Sequence, residues 1–248
     1  MPRRLTRRRI AGLIALAAIV AVALGLFAKS GAGHGEHRDE PFGLFTSLPI
    51  LWSEQADLRD MLATPAPPHW VRGALAENGR LVALDTLLDL SRFERLVIAQ
   101  PRPLSPDENV ALDAWVRSGG RLLMFADPML TQESAYSLGD RRRPQDVVLL
   151  SPILSRWGLE LRFDDMQPGG LRENAGEGVD VDLPGQFTVV GGGVGAQCRI
   201  GAEALVARCS VGKGRAIIVA DAAVLAIDGD SSRKKRQLDA FLSEAFHR

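Results

Sequence analysis

Two aspartates are the residues best placed to do chemistry in this sequence. "RLLMFADPML", Arg121 to Leu130, is an apolar run ending in Asp127 and Pro128, and "GRAIIVAD", Gly214 to Asp221, is another ending in Asp221. Continuous apolar runs of this kind are how buried parallel strands look, and the carboxyl ends of such strands are where open α/β sheets bind ligands. If the two strands are neighbours, the carboxylates share a pocket and can bind a cation or do acid–base work. In the alternative role each carboxylate accepts hydrogen bonds from loop N–H groups and orders a turn. Pro128, directly after Asp127, suits a turn. Arg141, Arg142 and Arg143 follow Asp140 in the polar loop beyond. Over the same sheet end they would hold an anionic ligand or an acidic partner; otherwise they are a solvated charge run. Ser47 completes the candidate ligand- or partner-binding set of Ser47, Asp127, Arg141, Arg142, Arg143 and Asp221.

Other reactive residue types are poorly placed. A nucleophilic cysteine needs a tight strand-to-helix turn and a neighbouring histidine. Cys198 and Cys209 both lie in a late glycine-rich β region. They are either a disulfide pair or two small buried thiols, and spacing alone does not decide. Of the four histidines, His34 and His37 lie in a polar tether, His69 precedes Trp70, and His247 is one residue from the end. His34 and His37, with Glu36, match no zinc motif. No catalytic residue, metal or cofactor is therefore assigned, and the reading leans away from an enzyme. "GGGVGA", Gly191 to Ala196, has the form G-x-G-x-x-A but no βαβ helix follows, so it reads as a turn. "GKGR", Gly212 to Arg215, lacks the rest of a P-loop and reads as a hairpin turn.

The elements that must position these residues alternate. "LFTSLPILW" is a short strand and "EQADLRDML" a helix. "HWVRGALAENG" is a second helix, ended by Gly79. "RLVALD" is a strand, "DTLLDLSRFE" a short helix or turn, and "RLVIAQP" a strand stopped by Pro101. In "LSPDENVALDAWVRSGG", Ser105 is the expected N-cap, with Pro106 at the first helical position and Glu108 closing a capping box. Leu112, Trp115 and Val116 share one face, and Gly119 and Gly120 end the helix. This alternation predicts a doubly wound, mainly parallel α/β sheet. Beyond it, "SPILSRWG" is a short helix and "LELRFD" a strand. From Val179 short strands and tight turns predict an antiparallel β extension. A last helix places Leu238, Phe241, Leu242, Ala245 and Phe246 on one face. Arg233, Lys234, Lys235 and Arg236 open it, against the helix dipole.

The chain has 248 residues, 46% apolar and 24% charged, and is formally neutral. Residues 1–9 hold five arginines and no acid, so the rest carries a formal charge of −5. A mildly acidic body argues against a nucleic-acid partner. Residues 10–28, "IAGLIALAAIVAVALGLFA", carry no charge and no polar face. At about 1.5 Å per residue they just cross a bilayer core of about 30 Å. The flanking arginines then stay in the cytoplasm. The expected organisation is a basic cytoplasmic segment (1–9), a transmembrane helix (10–28), a flexible linker (29–41) and an extracytoplasmic α/β domain (42–248). The rival reading is a signal peptide cleaved after "AKS".

"RLVIAQPRPLSPDENVALDAWVRSGGRLLMFADPML" and "VGKGRAIIVADAAVL" resemble the soluble domain of gliding-motility-type ABC-transporter auxiliary proteins. That domain is related to the intraflagellar-transport subunit domain. The resemblance runs in order from about Phe42 to Leu225. It implies a flavodoxin-like, class I glutamine-amidotransferase-like fold. It also implies an extracytoplasmic accessory role at the bacterial inner membrane, permease and ATPase subunits as partners, and no established chemistry. Two alternatives stay open: a binding protein for a small anion or glycan, with the arginines as clamp, and a metal-dependent hydrolase using Asp127 and Asp221.

Overall fold

The computed structural model describes residues 40–54 and 68–247. The expected basic segment, transmembrane helix and most of the linker lie outside the described residues, as does all but Glu54 of the helix expected in "EQADLRDML". Among the described residues no helix is long and apolar enough to cross a membrane.

The first elements are β1 (Pro41–Thr46), α1 (Trp70–Ala76), β2 (Arg80–Leu84), β3 (Arg95–Ala99), α2 (Pro106–Ser118) and β4 (Arg121–Phe125). Then come α3 (Ser151–Arg156), β5 (Leu159–Arg162), β6 (Arg172–Asn174), β7 (Val179–Val181) and β8 (Gln186–Val189). The chain closes with β9 (Ala196–Ile200), β10 (Val206–Val211), β11 (Gly214–Val219) and α4 (Ser231–His247).

Seven strands form one sheet in the order β2-β1-β3-β4-β11-β10-β9. The five from β2 to β11 are parallel, and β10 and β9 continue the sheet antiparallel. The architecture is mixed α/β with a mostly parallel central sheet. β11 closes a two-residue hairpin with β10, as the "GKGR" turn predicts, yet it also pairs in parallel with β4. The expected antiparallel extension is therefore β10 and β9 on the main sheet, with β5–β8 and β6–β7 as separate two-stranded ladders.

Local chemistry explains the elements. Ser105 Oγ accepts from Glu108 N (3.2 Å), and Glu108 Oε2 accepts from Ser105 N (2.9 Å), so the capping box is closed. Glu108 also accepts the two arms of the Arg102 fork (2.7 and 2.8 Å) and Leu87 N. The guanidinium holds the Glu108 carboxyl down at about 2. That anchor explains why "DTLLDLSRFE" forms turns rather than a helix: Leu87, Leu90 and Phe93 peg into the core one by one. Such a short run has too few turns to repay helix nucleation. Gly120 is required by packing, because a Cβ there would sit 2.5 Å from the Trp115 ring.

Helices cover both faces of the sheet. Arg208 on β10 reaches Glu244 of α4, whereas Cys198 on β9 lies against the Trp157 carbonyl at the end of α3. Cys198 and Cys209 are register partners and Arg208 precedes Cys209, so the two contacts mark opposite faces. Phe241 of α4 meets Phe125 of β4 edge-on at 6.1 Å, and α4 buries Leu238, Leu242, Ala245 and Phe246 beside it.

Cys198 and Cys209 are joined as a disulfide between β9 and β10. With 11 residues of separation, its reduction is expected to cost roughly 2–3 kcal/mol, about 5–10 °C in melting temperature. A thermal melt with and without reductant checks this. A Cys209→Ala variant should no longer respond to reductant.

Candidate functional site

β4 and β11 are neighbours, with Phe125 opposite Val219. Asp127 and Asp221 each lie two residues beyond their strand, so the register brings the two carboxylates together at the carboxyl edge of the sheet. Both are 1% exposed. Asp127 Oδ1 accepts from Met129 N (2.8 Å), and Oδ2 reaches across to Ala222 N (3.1 Å). Asp221 accepts from Ala223 N in its own turn and from Asp182 N (3.0 Å). All four carboxylate oxygens thus accept a backbone N–H. Burial pushes the Asp127 carboxyl up to about 7, against its two N–H donors, and Asp182 adds to the rise. Asp221 is raised well above the usual range, first by burial and then by Asp127. Burial and neighbouring acids thus favour the protonated form of both carboxyls.

The parallel strand order reverses between β1 and β3, which is where doubly wound sheets open a ligand crevice. Here the protein's own groups close it. Ser47 Oγ donates to the Gln100 carbonyl and accepts from Gln145 N (3.0 Å). Gln100 is fully buried and holds φ at 43°, a left-handed conformation rare outside glycine. Its Oε1 accepts from Asp127 N (2.9 Å), and its Nε2 donates to the carbonyls of Asp127 (3.0 Å) and Gln145 (2.7 Å). Strained residues concentrate at sites whose geometry is over-determined. This one sits where a strand-to-helix nucleophile would sit, but its amide is not a nucleophile.

The arginine loop is fixed differently. Arg142 forms a fork with Asp140 (2.7 and 3.1 Å) and lies 4.2 Å over the Tyr136 ring. Arg143 pairs with Asp146 (2.9 Å) and donates to the Tyr136 carbonyl, and Arg141 is exposed. None of the three is among the charges that act on Asp127 or Asp221. Gln100 joins Ser47 to Asp127, Asp127 reaches on to Ala222 N beside Asp221, and the arginines are left to local partners.

Sequence reasoning passed over Gln100, Asp182 and the character of Lys234. Lys234 is 1% exposed and donates to the carbonyls of Asp228 and Ala226. Burial lowers its pKa. It lines a cavity of about 240 Å³ with Asp182, Asp228 and Leu171. A signal was present, since Lys234 is four residues before Leu238 on the apolar face of α4. Asp230 caps that helix, accepting from Ser232 N and Arg233 N. Arg233 pairs with Glu173 and Asp180, and Lys235 with Glu77 and Asp239.

Residues 74–167, from α1 to just beyond β5, match the model of a family described as an ABC-type uncharacterized transport system. The match includes Gln100, Asp127 and the arginine loop, and it supports an accessory role in such a system. No curated protein matches the sequence. Solved structures match only distantly. The β-galactosidase from Bacillus circulans sp. alkalophilus is 13% identical over 83% of this chain and 31% of its own, with a TM-score of 0.44. The exo-β-1,4-mannosidase Op5Man5 from Opitutaceae bacterium strain TAV5 is 18% identical over 88% and 36%, at 0.42. The cytoplasmic protein STM3548 from Salmonella typhimurium is 10% identical over 81% and 96%, also at 0.42. The chain spans about a third of the two glycosidases. Likenesses this remote say nothing about activity.

Proposed function

We propose that the protein is a non-catalytic, membrane-anchored extracytoplasmic accessory module of an ABC-type transport or envelope system. The match over residues 74–167 carries the reading. Residues 10–28 would anchor it, with the arginines of residues 1–9 in the cytoplasm. The Cys198–Cys209 bond suits an oxidising compartment. The fold is then read as flavodoxin-like, of the class I glutamine-amidotransferase-like kind. A hydrolase built on Asp127 and Asp221 would need an open carboxylate, whereas every oxygen of the pair accepts a backbone N–H.

The surface offered to a partner is the carboxyl edge of the sheet. A cleft of about 510 Å³ opens there, lined by Trp52, Trp70, His69 and Ile227 among others. Trp52 and Ile227 are 42% and 59% exposed, and exposed tryptophan is a frequent anchor of protein interfaces. The test is purification of the full-length protein from membranes in mild detergent. A permease and an ATPase should accompany it in near-equal amounts. Trp52→Ala should weaken their recovery without shifting the melting temperature. Recovery of the protein alone, or from the soluble fraction lacking residues 1–30, would reject the reading.

A further inference from the structure

On the face of the sheet that carries α4, the helix covers β4 and β11 but leaves a cavity of about 450 Å³ over β9 and β10. The strand register writes out its floor in two rows. In one, Arg199 lies opposite Arg208, which lies opposite Ile217; in the next, Gln197 lies opposite Ser210, which lies opposite Arg215. Residues directly opposite share a face, so three arginines, a hydroxyl and an amide look into one space.

Like charges directly across a ladder are destabilising, and among the described residues only Arg208 of the three forms ion pairs. Arg208 takes both nearby carboxylates, forming forks with Glu177 (2.8 and 3.0 Å) and Glu244 (2.7 and 3.1 Å). Arg199 and Arg215 have no ion pair among the described residues. The Nε of Arg215 is buried without a hydrogen-bond partner. Burial, and then the like charge of the nearby Arg121, lower the pKa of Arg215, with Glu244 opposing them, and Arg121 itself donates to the Phe246 carbonyl (2.6 Å). Charged residues on an exposed edge strand often serve only to block edge pairing. That accounts for Arg199 on β9, but Arg215 lies on β11, two strands in from the edge.

We propose that this face is a binding site for a phosphoryl oxyanion, gripped by Arg199 and Arg215 with Ser210 and Gln197 as neutral donors. Two guanidinium forks match the oxygens of a phosphate group. The cavity is larger than one phosphate, so it takes a phosphorylated organic molecule or a phospholipid headgroup. The site lies on other strands than the Asp127–Asp221 pair, and the proposal stands whether or not a transporter partner exists.

The test is calorimetric titration of the full-length chain in a neutral detergent with sodium pyrophosphate, against sodium chloride of matched ionic strength. Pyrophosphate should give saturable heat and raise the melting temperature. Arg199→Gln and Arg215→Gln should each weaken binding about ten-fold or more. The unliganded melting temperature should stay the same or rise, because each change removes one of the like charges gathered on this face. Repeating the titration in micelles doped with phosphatidic acid separates the sources. Competition assigns a lipid headgroup, and its absence assigns a phosphorylated solute. No saturable heat with pyrophosphate, or unchanged affinity in both variants, would overturn the proposal.

Discussion

Between pH 6.5 and pH 8 the melting temperature is expected to fall by about 4–8 °C. An unfolded aspartate titrates near 3.8, whereas folded Asp127 titrates at about 7 and Asp221 also lies well above 3.8. Across this window the folded state still holds protons that the unfolded state has released. Stability that the pair contributes is full below the unfolded value and is lost as pH rises through the folded one. The window opens at pH 6.5 because His69 has the opposite sign. Burial lowers it from 6.5 to about 4, so its contribution grows as pH rises towards 6.5 and then levels off. Below pH 6.5 the two effects oppose each other, and above it only the loss from the pair remains. At about 1.4 kcal/mol per pKa unit, a loss on the order of 2 kcal/mol is expected over the window. Asp127→Asn isolates the pair. It should be less stable than the parent at pH 6.5, because the amide nitrogen cannot accept the backbone N–H that a carboxyl oxygen accepts there, but its melting temperature should decline less towards pH 8. Thermal melts of both proteins at half-unit steps decide this. A flat or rising parent profile above pH 6.5 would mean that the pair is already ionised in the fold.

Gln100→Ala is expected to cost about 3–5 kcal/mol. The side chain makes three buried hydrogen bonds, and its loss strands the Asp127 N–H together with the carbonyls of Asp127 and Gln145. Each buried group left without a partner costs about 1–3 kcal/mol. Gln100→Gly gives a second, sharper reading. Glycine usually lowers stability relative to alanine, but at φ 43° it relieves a left-handed backbone and should be more stable than alanine by about 1 kcal/mol. Urea unfolding of the three proteins measures both differences. A cost under 1 kcal/mol for alanine, with glycine below it, would show that Gln100 does not hold this edge together. Because Gln100 also joins Ser47 to Asp127, its loss should loosen the surface proposed for transporter subunits.

The elements legible in the sequence are those whose causes lie within a few residues. Ser105, Pro106 and Glu108 specify the start of α2 through bonds spanning three positions. The apolar runs before Asp127 and Asp221 specify buried strands, and Gly212 with Lys213 specifies a hairpin. The likeness to transporter auxiliary proteins also rests on such local blocks, and residues 74–167 match the model of a family described as an ABC-type uncharacterized transport system. "DTLLDLSRFE" is the instructive ambiguity. Its spacing admits a helix, and it forms turns because Glu108, distant in sequence, holds Leu87 N.

The sequence by itself therefore determined that this is an α/β protein with acids at two strand ends, a basic N-terminus and an apolar segment after it. Only the tertiary structure decided what those acids meet. β4 and β11 are separated by some ninety residues, and no local periodicity tells a strand which neighbour it will pair with. That pairing makes two ordinary aspartates into a buried couple that retains protons. It also sets Gln100 against Asp127 and gathers Arg199, Arg208 and Arg215 on one uncovered face. Burial and like-charge proximity are properties of the assembled sheet, because both depend on which distant segments exclude water from a given side chain.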